Sequence, residues 1–165
     1  MIESFGDGCV CAEIGVLNGS FSKEILQFNP KELHLVDCWI RQHGSYEKDP
    51  TNKSDFDEMY SKVCSELGGD KRVIIHRQLS GTAALSFPDM YFDWVYIDAD
   101  HTRPGITSDL HAWWPKIKTG GSLCGHDYCS NKWIKVKNVV DTWSRTVRRP
   151  INISRESFPS WMVVK

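Results

Sequence analysis

Short apolar runs alternate with longer amphipathic segments along the chain, and this alternation predicts its secondary structure. The predicted strands lie at 9–14, 32–37, 72–76, 93–98 and 119–125, and the predicted helices at 20–28, 54–67, 79–86, 105–117 and 132–145. Two further apolar pieces, 151–155 and 160–164, predict a closing antiparallel hairpin. Continuous apolar strands that alternate with helices are typical of an α/β fold with a doubly wound, mostly parallel sheet and helices on both faces.

The composition excludes several classes of protein. A chain of 165 residues has the size of one domain, so we expect a single domain over 1–165. The formal net charge is −1, which gives no electrostatic reason to expect a nucleic acid or a membrane surface as partner. No apolar stretch reaches the roughly 20 residues of a membrane span, and the first residues lack a signal-peptide pattern.

The six cysteines form no C-x-x-C pair and no ladder with zinc-site spacing. We therefore expect six reduced thiols and a cytoplasmic location.

The residues that follow the predicted strands are rich in glycine and polar side chains. In parallel α/β sheets, ligands bind outside the carboxyl ends of the strands, so these residues are the candidates for a site. They comprise Gly15 to Ser20, Asp37 to Trp39, His76 to Ser80, Asp98 to His101 and Gly125 to Tyr128.

The first of these segments, AEIGVLNGSFS at 12–22, has features of a cofactor loop. Gly15 permits a tight turn and a close approach of ligand to backbone, and Gly19 and Ser20 would present free N–H groups at a helix start. Glu13 could accept hydrogen bonds from a cationic or hydroxylated ligand. Asp37 ends strand two, 22 residues after Gly15, where an acid grips ribose hydroxyls; it could equally cap a loop.

The stretch DWVYIDADH at 93–101 ends an apolar strand in two carboxylates and an imidazole. The next strand ends in GHDY at 125–128. Adjacent strand ends would bring five titratable groups into one small volume: Asp98, Asp100, His101, His126 and Asp127. Among these, we favour Asp100 as the cap of the following helix.

Taken together, EIGVLNGS at 13–20, LHLVD at 33–37, DWVYIDADH and GGSLCGHDY resemble a class I S-adenosylmethionine-dependent methyltransferase, in particular methyltransferase family 24. The resemblance spans 9–164 and implies a seven-stranded Rossmann-like sheet with an antiparallel last hairpin. It also implies S-adenosylmethionine as cofactor and a small-molecule hydroxyl as methyl acceptor. The residues that it would place against the cofactor are Glu13, Gly15, Gly19, Ser20, Asp37, Cys38, Leu79, Ser80 and Asp98.

Two mechanisms could activate the acceptor hydroxyl. The resemblance to metal-dependent relatives places a divalent ion, Mg or Mn, on Asp98, His126 and Asp127. His126 stands where those relatives have a carboxylate, and imidazole suits Mn, Fe, Co or Zn better than Mg. Alternatively, His101 or His126 acts without metal as a general base, with Asp98 beside the reacting methyl group.

Other interpretations stay open at this point. An NAD(P)-dependent oxidoreductase is disfavoured because G-x-G-x-x-G is missing, although Tyr128 and Lys132 form a Tyr-x-x-x-Lys pair. A binding module that keeps the fold without chemistry is the other alternative. Tyr128 and Trp133 are candidates for an acceptor-pocket wall, and 40–54 is either a surface loop or a lid. The pocket could be open, completed by a second subunit in a homodimer, or suited to a large substrate.

Overall fold

The computed structural model describes residues 7–40 and 53–165. Its strands are β1 (Val10–Ile14), β2 (Glu32–Asp37), β3 (Val73–Arg77), β4 (Phe92–Ile97), β5 (Ile117–Gly125), β6 (Asn152–Ile153) and β7 (Trp161–Val164). Its helices are α1 (Ser20–Gln27), α2 (Lys53–Leu67), α3 (Ser80–Ala84), α4 (Arg103–Trp113) and α5 (Val136–Val147). Most of the predicted loop or lid at 40–54 lies outside the described residues, so that part stays a prediction.

The seven described strands form one sheet in the order β3-β2-β1-β4-β5-β7-β6. Strands β1 to β5 pair in parallel, whereas β7 runs antiparallel to both β5 and β6. The predicted sheet and its antiparallel C-terminal hairpin are therefore confirmed. The strand order reverses between β1 and β4, which is the switch point where ligands bind in sheets of this kind.

Alternation along β1 shows why the sheet is covered on both faces. Val10, Ala12 and Ile14 belong to a core cluster that includes side chains of α4 and α5, whereas Cys11 belongs to a second cluster with side chains of α1 and α2. Successive strand residues point to opposite faces, so a continuous apolar strand needs a helical layer on each side.

The end of β5 is held by β7, which pairs with it in antiparallel orientation. Gly125 pairs with Trp161 of β7, and a Cβ atom at Gly125 would lie 2.6 Å from both the Trp161 ring and the carbonyl oxygen of Ile97. Only glycine fits between these groups. The strand end that precedes His126 is therefore packed against β4 on one side and β7 on the other.

Two helix boundaries differ from the prediction by four residues. Helix α4 ends at Trp113, and a 3-10 turn over Trp114–Lys116 follows, because Pro115 cannot donate a helical hydrogen bond. Helix α5 begins at Val136 instead of 132, because Asn131 Oδ1 accepts hydrogen bonds from the backbone N–H groups of Trp133 and Ile134 and holds them in a turn.

All six cysteines are free thiols, as predicted. None of the helices in the described part of the chain is long and apolar enough to cross a membrane.

Candidate active site

Gly15 turns the chain at the switch point, where β1, β2 and β4 end side by side. Its φ is 92°, and a Cβ atom there would lie 2.1 Å from the carbonyl oxygen of Asp98. Its N–H donates to Val36 O at 2.9 Å, and Asp98 N–H donates to Ile14 O at 2.7 Å. The three strand ends are thus joined through backbone that leaves no room for a side chain at position 15.

Asp37 holds the loop that follows Gly15. Its Oδ2 accepts hydrogen bonds from Val16 N at 2.9 Å and Leu17 N at 3.0 Å, and its Oδ1 accepts one from Trp39 N at 2.8 Å. The loop-capping role that the sequence left open is therefore present. A carboxylate has about four acceptor positions, so these three bonds leave capacity for a ligand hydroxyl.

Glu13 lies beneath the same loop and is 2% exposed. It accepts a short hydrogen bond from Ser22 Oγ, which ties the end of β1 to α1. Burial raises the pKa of Glu13 to about 8; the bond from Ser22 opposes this shift, and the charges of Asp98 and Asp37 add to it. In the folded protein, Glu13 is therefore largely protonated at neutral pH.

The raised pKa of Glu13 predicts a pH-dependent stability. The folded carboxyl keeps its proton up to a pKa of about 8, whereas the unfolded one releases it near 4.5, so its contribution to the free energy of unfolding falls as pH rises between these values. Glu13→Gln keeps a neutral partner for Ser22 and should flatten this part of the curve, measured by urea unfolding across the interval. Glu24→Gln, on the exposed face of α1, is the control. A Glu13→Gln curve parallel to wild type would contradict the assigned protonation.

Four other predicted cofactor residues lie at the same end of the sheet. Gly19, with φ 76°, precedes α1, and Ser20 donates to Asn18 Oδ1 through both its backbone N–H and its hydroxyl. The Cys38 thiol donates to Ile40 O at 3.7 Å. Leu79 is half-exposed in front of α3.

The hydroxyl of Ser80 is engaged by side chains of α4. It donates to buried Asp109 and accepts from Trp113 Nε1 at 2.8 Å, so the side chain joins α3 to α4. A cofactor contact at Ser80 would therefore use its backbone. Asp109 has a pKa raised to about 6, because burial outweighs the bond from Ser80. Asp109 was not among the predicted site residues; the signal in the sequence was an acid among the apolar residues that α4 buries.

The titratable cluster forms where β4 and β5 end next to each other. His101 Nε2 lies 3.1 Å from Asp98 Oδ1 and 3.2 Å from Asp127 Oδ2. His126 Nδ1 lies 3.4 Å from Asp127 Oδ1 and 4.0 Å from Asp98 Oδ2. Of the five residues predicted to converge, these four do so, and each imidazole lies within 4.0 Å of both carboxylates.

The two carboxylates govern the charge of His101. Burial lowers the pKa of His101, but the hydrogen bond that its ring donates to Asp98 and the charges of Asp98, Asp127 and Asp100 outweigh this effect, so its pKa lies above the ordinary value of 6.5. The two neighbouring carboxylates thus favour the protonated form of the His101 imidazole.

Asp100 belongs to the turn before α4. Its Oδ1 accepts from Thr102 N at 2.8 Å, whereas the N-cap itself is Thr102, whose Oγ1 accepts from Gly105 N at 3.2 Å. The sequence assigned the cap to Asp100, but the hydroxyl two residues later fills that position. Asp100 supports the capping turn and contributes its charge to His101.

Donor chemistry selects three residues that could hold a metal ion. Three ligand atoms lie within 4.8 Å of one another, one from each of Asp98, His101 and Asp127. The resemblance implied His126 as the imidazole ligand, whereas within the described residues the grouping contains His101. Two carboxylates with one imidazole suit Mn or Zn better than Mg, which prefers oxygen ligands.

The two aromatic residues predicted to form a wall of the acceptor pocket, Tyr128 and Trp133, differ in exposure. Tyr128 is buried, and its hydroxyl donates to Asp141, so its side chain packs against α5. Trp133 is exposed.

The geometry agrees with the comparisons to known proteins. The model of a methyltransferase domain family, methyltransferase family 24, matches residues 12–128. Because this match covers more than half of the sequence, the chain belongs to that family of class I methyltransferase domains. No curated protein is significantly similar to this chain in sequence.

Solved structures share the fold at low sequence identity. Precorrin 8W decarboxylase from Methanobacterium thermoautotrophicum is 13% identical, with 97% of this chain and 83% of that chain covered and a TM-score of 0.67. An O-methyltransferase family protein from Burkholderia thailandensis is 11% identical, with 99% and 54% covered and a TM-score of 0.67.

A third structure contains ligands. It is the 1,6-didemethyltoxoflavin-N1-methyltransferase of Burkholderia thailandensis with bound 1,6-didemethyltoxoflavin and S-adenosylhomocysteine. It is 9% identical, with 96% of this chain and 72% of that chain covered and a TM-score of 0.66. These likenesses establish the fold of the chain.

Proposed function

We propose that the protein transfers a methyl group from S-adenosylmethionine to a hydroxyl of a small molecule. The observation that supports this most is the position of His101 between Asp98 and Asp127, directly after two adjacent strands of a methyltransferase sheet. Such a group can take the proton of a hydroxyl next to the cofactor position at the switch point. A retained fold without chemistry would not need these three side chains together.

The switch point fits an adenosyl ligand. Large apolar side chains stay exposed after each of three neighbouring strands: Leu17 after β1, Ile40 after β2 and Leu79 after β3. Exposed apolar side chains at the same end of three neighbouring strands suit the faces of an adenine ring. The carboxylate of Asp37 suits ribose hydroxyls, and the acidic surroundings suit a sulfonium, which carries positive charge and no phosphate. The S-adenosylhomocysteine bound to the toxoflavin methyltransferase supports the same cofactor here.

S-Adenosylmethionine, when bound, supplies an electrophilic methyl group. The chain's own residues then have to position the acceptor oxygen in line with it and remove the proton from that oxygen. His101 accepts the proton, and Asp98 and Asp127 stabilise the imidazolium that results. His126 lies farther from both acids than His101 does.

A divalent cation is compatible with the same cluster. Asp98, His101 and Asp127 would hold it, and it would lower the pKa of a coordinated hydroxyl, with His101 as a ligand instead of a base. We propose Mn or another imidazole-tolerant ion before Mg.

Calorimetric titration tests the proposal. S-Adenosylhomocysteine should bind with micromolar affinity, whereas NADH should not, and each titration is repeated with EDTA and with added Mn or Mg. A heat that depends on metal would favour the metal-assisted form of the mechanism. Binding of NADH without binding of the adenosyl ligand would contradict the proposal and favour an oxidoreductase.

The direction of the His101 pKa shift predicts the pH profile of turnover. A base must be unprotonated, so the wild-type rate should fall as pH decreases through a midpoint above 6.5. His101→Ala should lower kcat by about 10²–10⁴-fold above that midpoint and by less below it, where the wild-type imidazole is already protonated. His111→Ala, exposed on α4, is the control. An equal loss at every pH would show that His101 is not the base.

A further inference from the structure

Two large aromatic side chains remain exposed at the end of the sheet that holds the titratable cluster. Trp133, between β5 and α5, is 51% exposed, and Phe158, between β6 and β7, is 55% exposed. Single exposed apolar residues are common on proteins, so exposure alone assigns them no role. Their position relative to the cluster is what distinguishes these two.

Backbone hydrogen bonds connect the loop of each aromatic residue to a segment that carries a member of the cluster. Tyr128 N–H donates to Pro159 O at 2.7 Å, which joins the neighbour of Asp127 to the neighbour of Phe158. Lys135 N–H donates to His101 O at 3.0 Å. Trp133 precedes Lys135 by two residues, so its loop is tied to the backbone of His101. The two exposed rings therefore belong to the two loops that border the cluster.

The loop that bears Trp133 is held in place. Asn131 Oδ1 accepts from the backbone of Trp133 at 2.8 Å and of Ile134 at 2.9 Å. The Lys132 ammonium lies 4.6 Å from the centre of the Trp133 ring, a cation–π distance that favours one orientation of the ring. A ring that is already positioned loses little conformational freedom when a ligand stacks on it.

We propose that Trp133 and Phe158 are the walls of the acceptor subsite and that the acceptor is a planar aromatic hydroxyl compound, a phenol or catechol, instead of a sugar. This inference rests on the proposed function and narrows its substrate class. Aromatic side chains favour offset or edge contacts with flat rings, which sets the plane of the acceptor near the cluster.

The acidity of the acceptor supports the same choice. A phenolic hydroxyl has a pKa of about 10, as in tyrosine, whereas an aliphatic hydroxyl is close to water at about 15.7. A cluster of two carboxylates and two imidazoles removes the proton of a phenol far more readily than that of an aliphatic alcohol, with or without a cation. The acceptor loses its proton to the cluster; its oxygen bonds the methyl carbon as the carbon–sulfur bond breaks, and that electron pair goes to sulfur, which leaves S-adenosylhomocysteine and the methyl ether.

A matched pair of probes tests the aromatic subsite. Protein loaded with S-adenosylhomocysteine is titrated with catechol and with cis-cyclohexane-1,2-diol, which has a similar size but no aromatic ring. Catechol should bind at least tenfold more tightly. Trp133→Ala should weaken catechol binding by about tenfold and Phe158→Ala by about threefold to tenfold, with unchanged affinity for S-adenosylhomocysteine, and Trp133→Phe should recover part of the loss.

Leu85→Ala provides the control, because Leu85 is 84% exposed at the end of α3, before β4 begins, and should leave catechol binding unchanged. Wild-type protein that binds S-adenosylhomocysteine but not catechol would overturn the inference. So would equal affinity for the cyclohexanediol, or wild-type catechol binding in both alanine variants. Failure of S-adenosylhomocysteine to bind would contradict the proposed function instead, and catechol titration of the unloaded protein would then still decide whether the aromatic subsite exists.

Discussion

Asp98→Asn should lower turnover by about 10²–10⁴-fold while the protein stays folded, which is the range for loss of a group that supports proton transfer. The amide has nearly the shape of the carboxylate but no charge, so the imidazolium of His101 loses the partner at 3.1 Å that stabilises it. Asp127→Asn removes the partner at 3.2 Å and should have an effect of the same order. The measurement is methyl transfer to an aromatic hydroxyl substrate, with thermal unfolding of each variant as the check on folding.

A surface acid provides the control for these two variants. Asp89 is exposed and pairs with Lys116 near the start of β4, at the opposite end of the sheet, so Asp89→Asn should retain wild-type turnover. If Asp98→Asn and Asp127→Asn both keep more than half of the wild-type rate, the cluster is not the reaction centre. If added Mn restores either variant, the acids act by holding a cation.

Gly15→Ala should abolish cofactor binding and destabilise the protein by about 2–5 kcal/mol. The new methyl group would overlap the carbonyl oxygen of Asp98 at 2.1 Å, and the residue would have to keep φ at 92°. The carbonyl belongs to backbone that is hydrogen-bonded at the end of β4, so relief of the overlap has to separate β1 from β4. Urea unfolding measures the stability, and calorimetric titration with S-adenosylhomocysteine measures the binding.

Gly120→Ala separates the two causes of this loss. Gly120 also has a positive φ, 81°, but a Cβ atom there meets nothing within 4 Å. Gly120→Ala should therefore show only the cost of the left-handed backbone, about 1–2 kcal/mol, and bind the adenosyl ligand normally. Equal losses in the two variants would show that close packing at the switch point is not what requires glycine at position 15.

The hydrophobic pattern was sufficient to predict the sheet, because burial on both faces makes each parallel strand a continuous apolar run. It was less informative about where elements begin. The start of α5 depends on one side chain, Asn131, which takes up the backbone N–H groups of two residues that were predicted to be helical. A local hydrogen bond of this kind leaves no periodicity in the sequence.

The members of the cluster were predictable, but their pairing was not. Strand ends that follow each other in a parallel sheet identify Asp98 and Asp127 as neighbours. Which histidine lies between them depends on backbone angles: Asp127 has φ 53°, and the turn after β4 brings His101 to the two acids. The resemblance to metal-dependent relatives favoured His126 as the metal ligand, whereas the geometry places His101 closer to both carboxylates.

The contact between Gly125 and Trp161 has a consequence for how the protein is made. Strand β7 follows every other strand in the chain, yet it lies between β5 and β6 in the sheet. While a ribosome is still adding residues 126–160, the edge of β5 that will pair with β7 has no partner. The segment that contains His126 and Asp127 then lacks the Trp161 indole, which packs against Gly125 directly before it. A nascent chain can therefore pair β1, β2 and β4 early, but the segment that bears His126 and Asp127 reaches its final packing only after Trp161 has emerged.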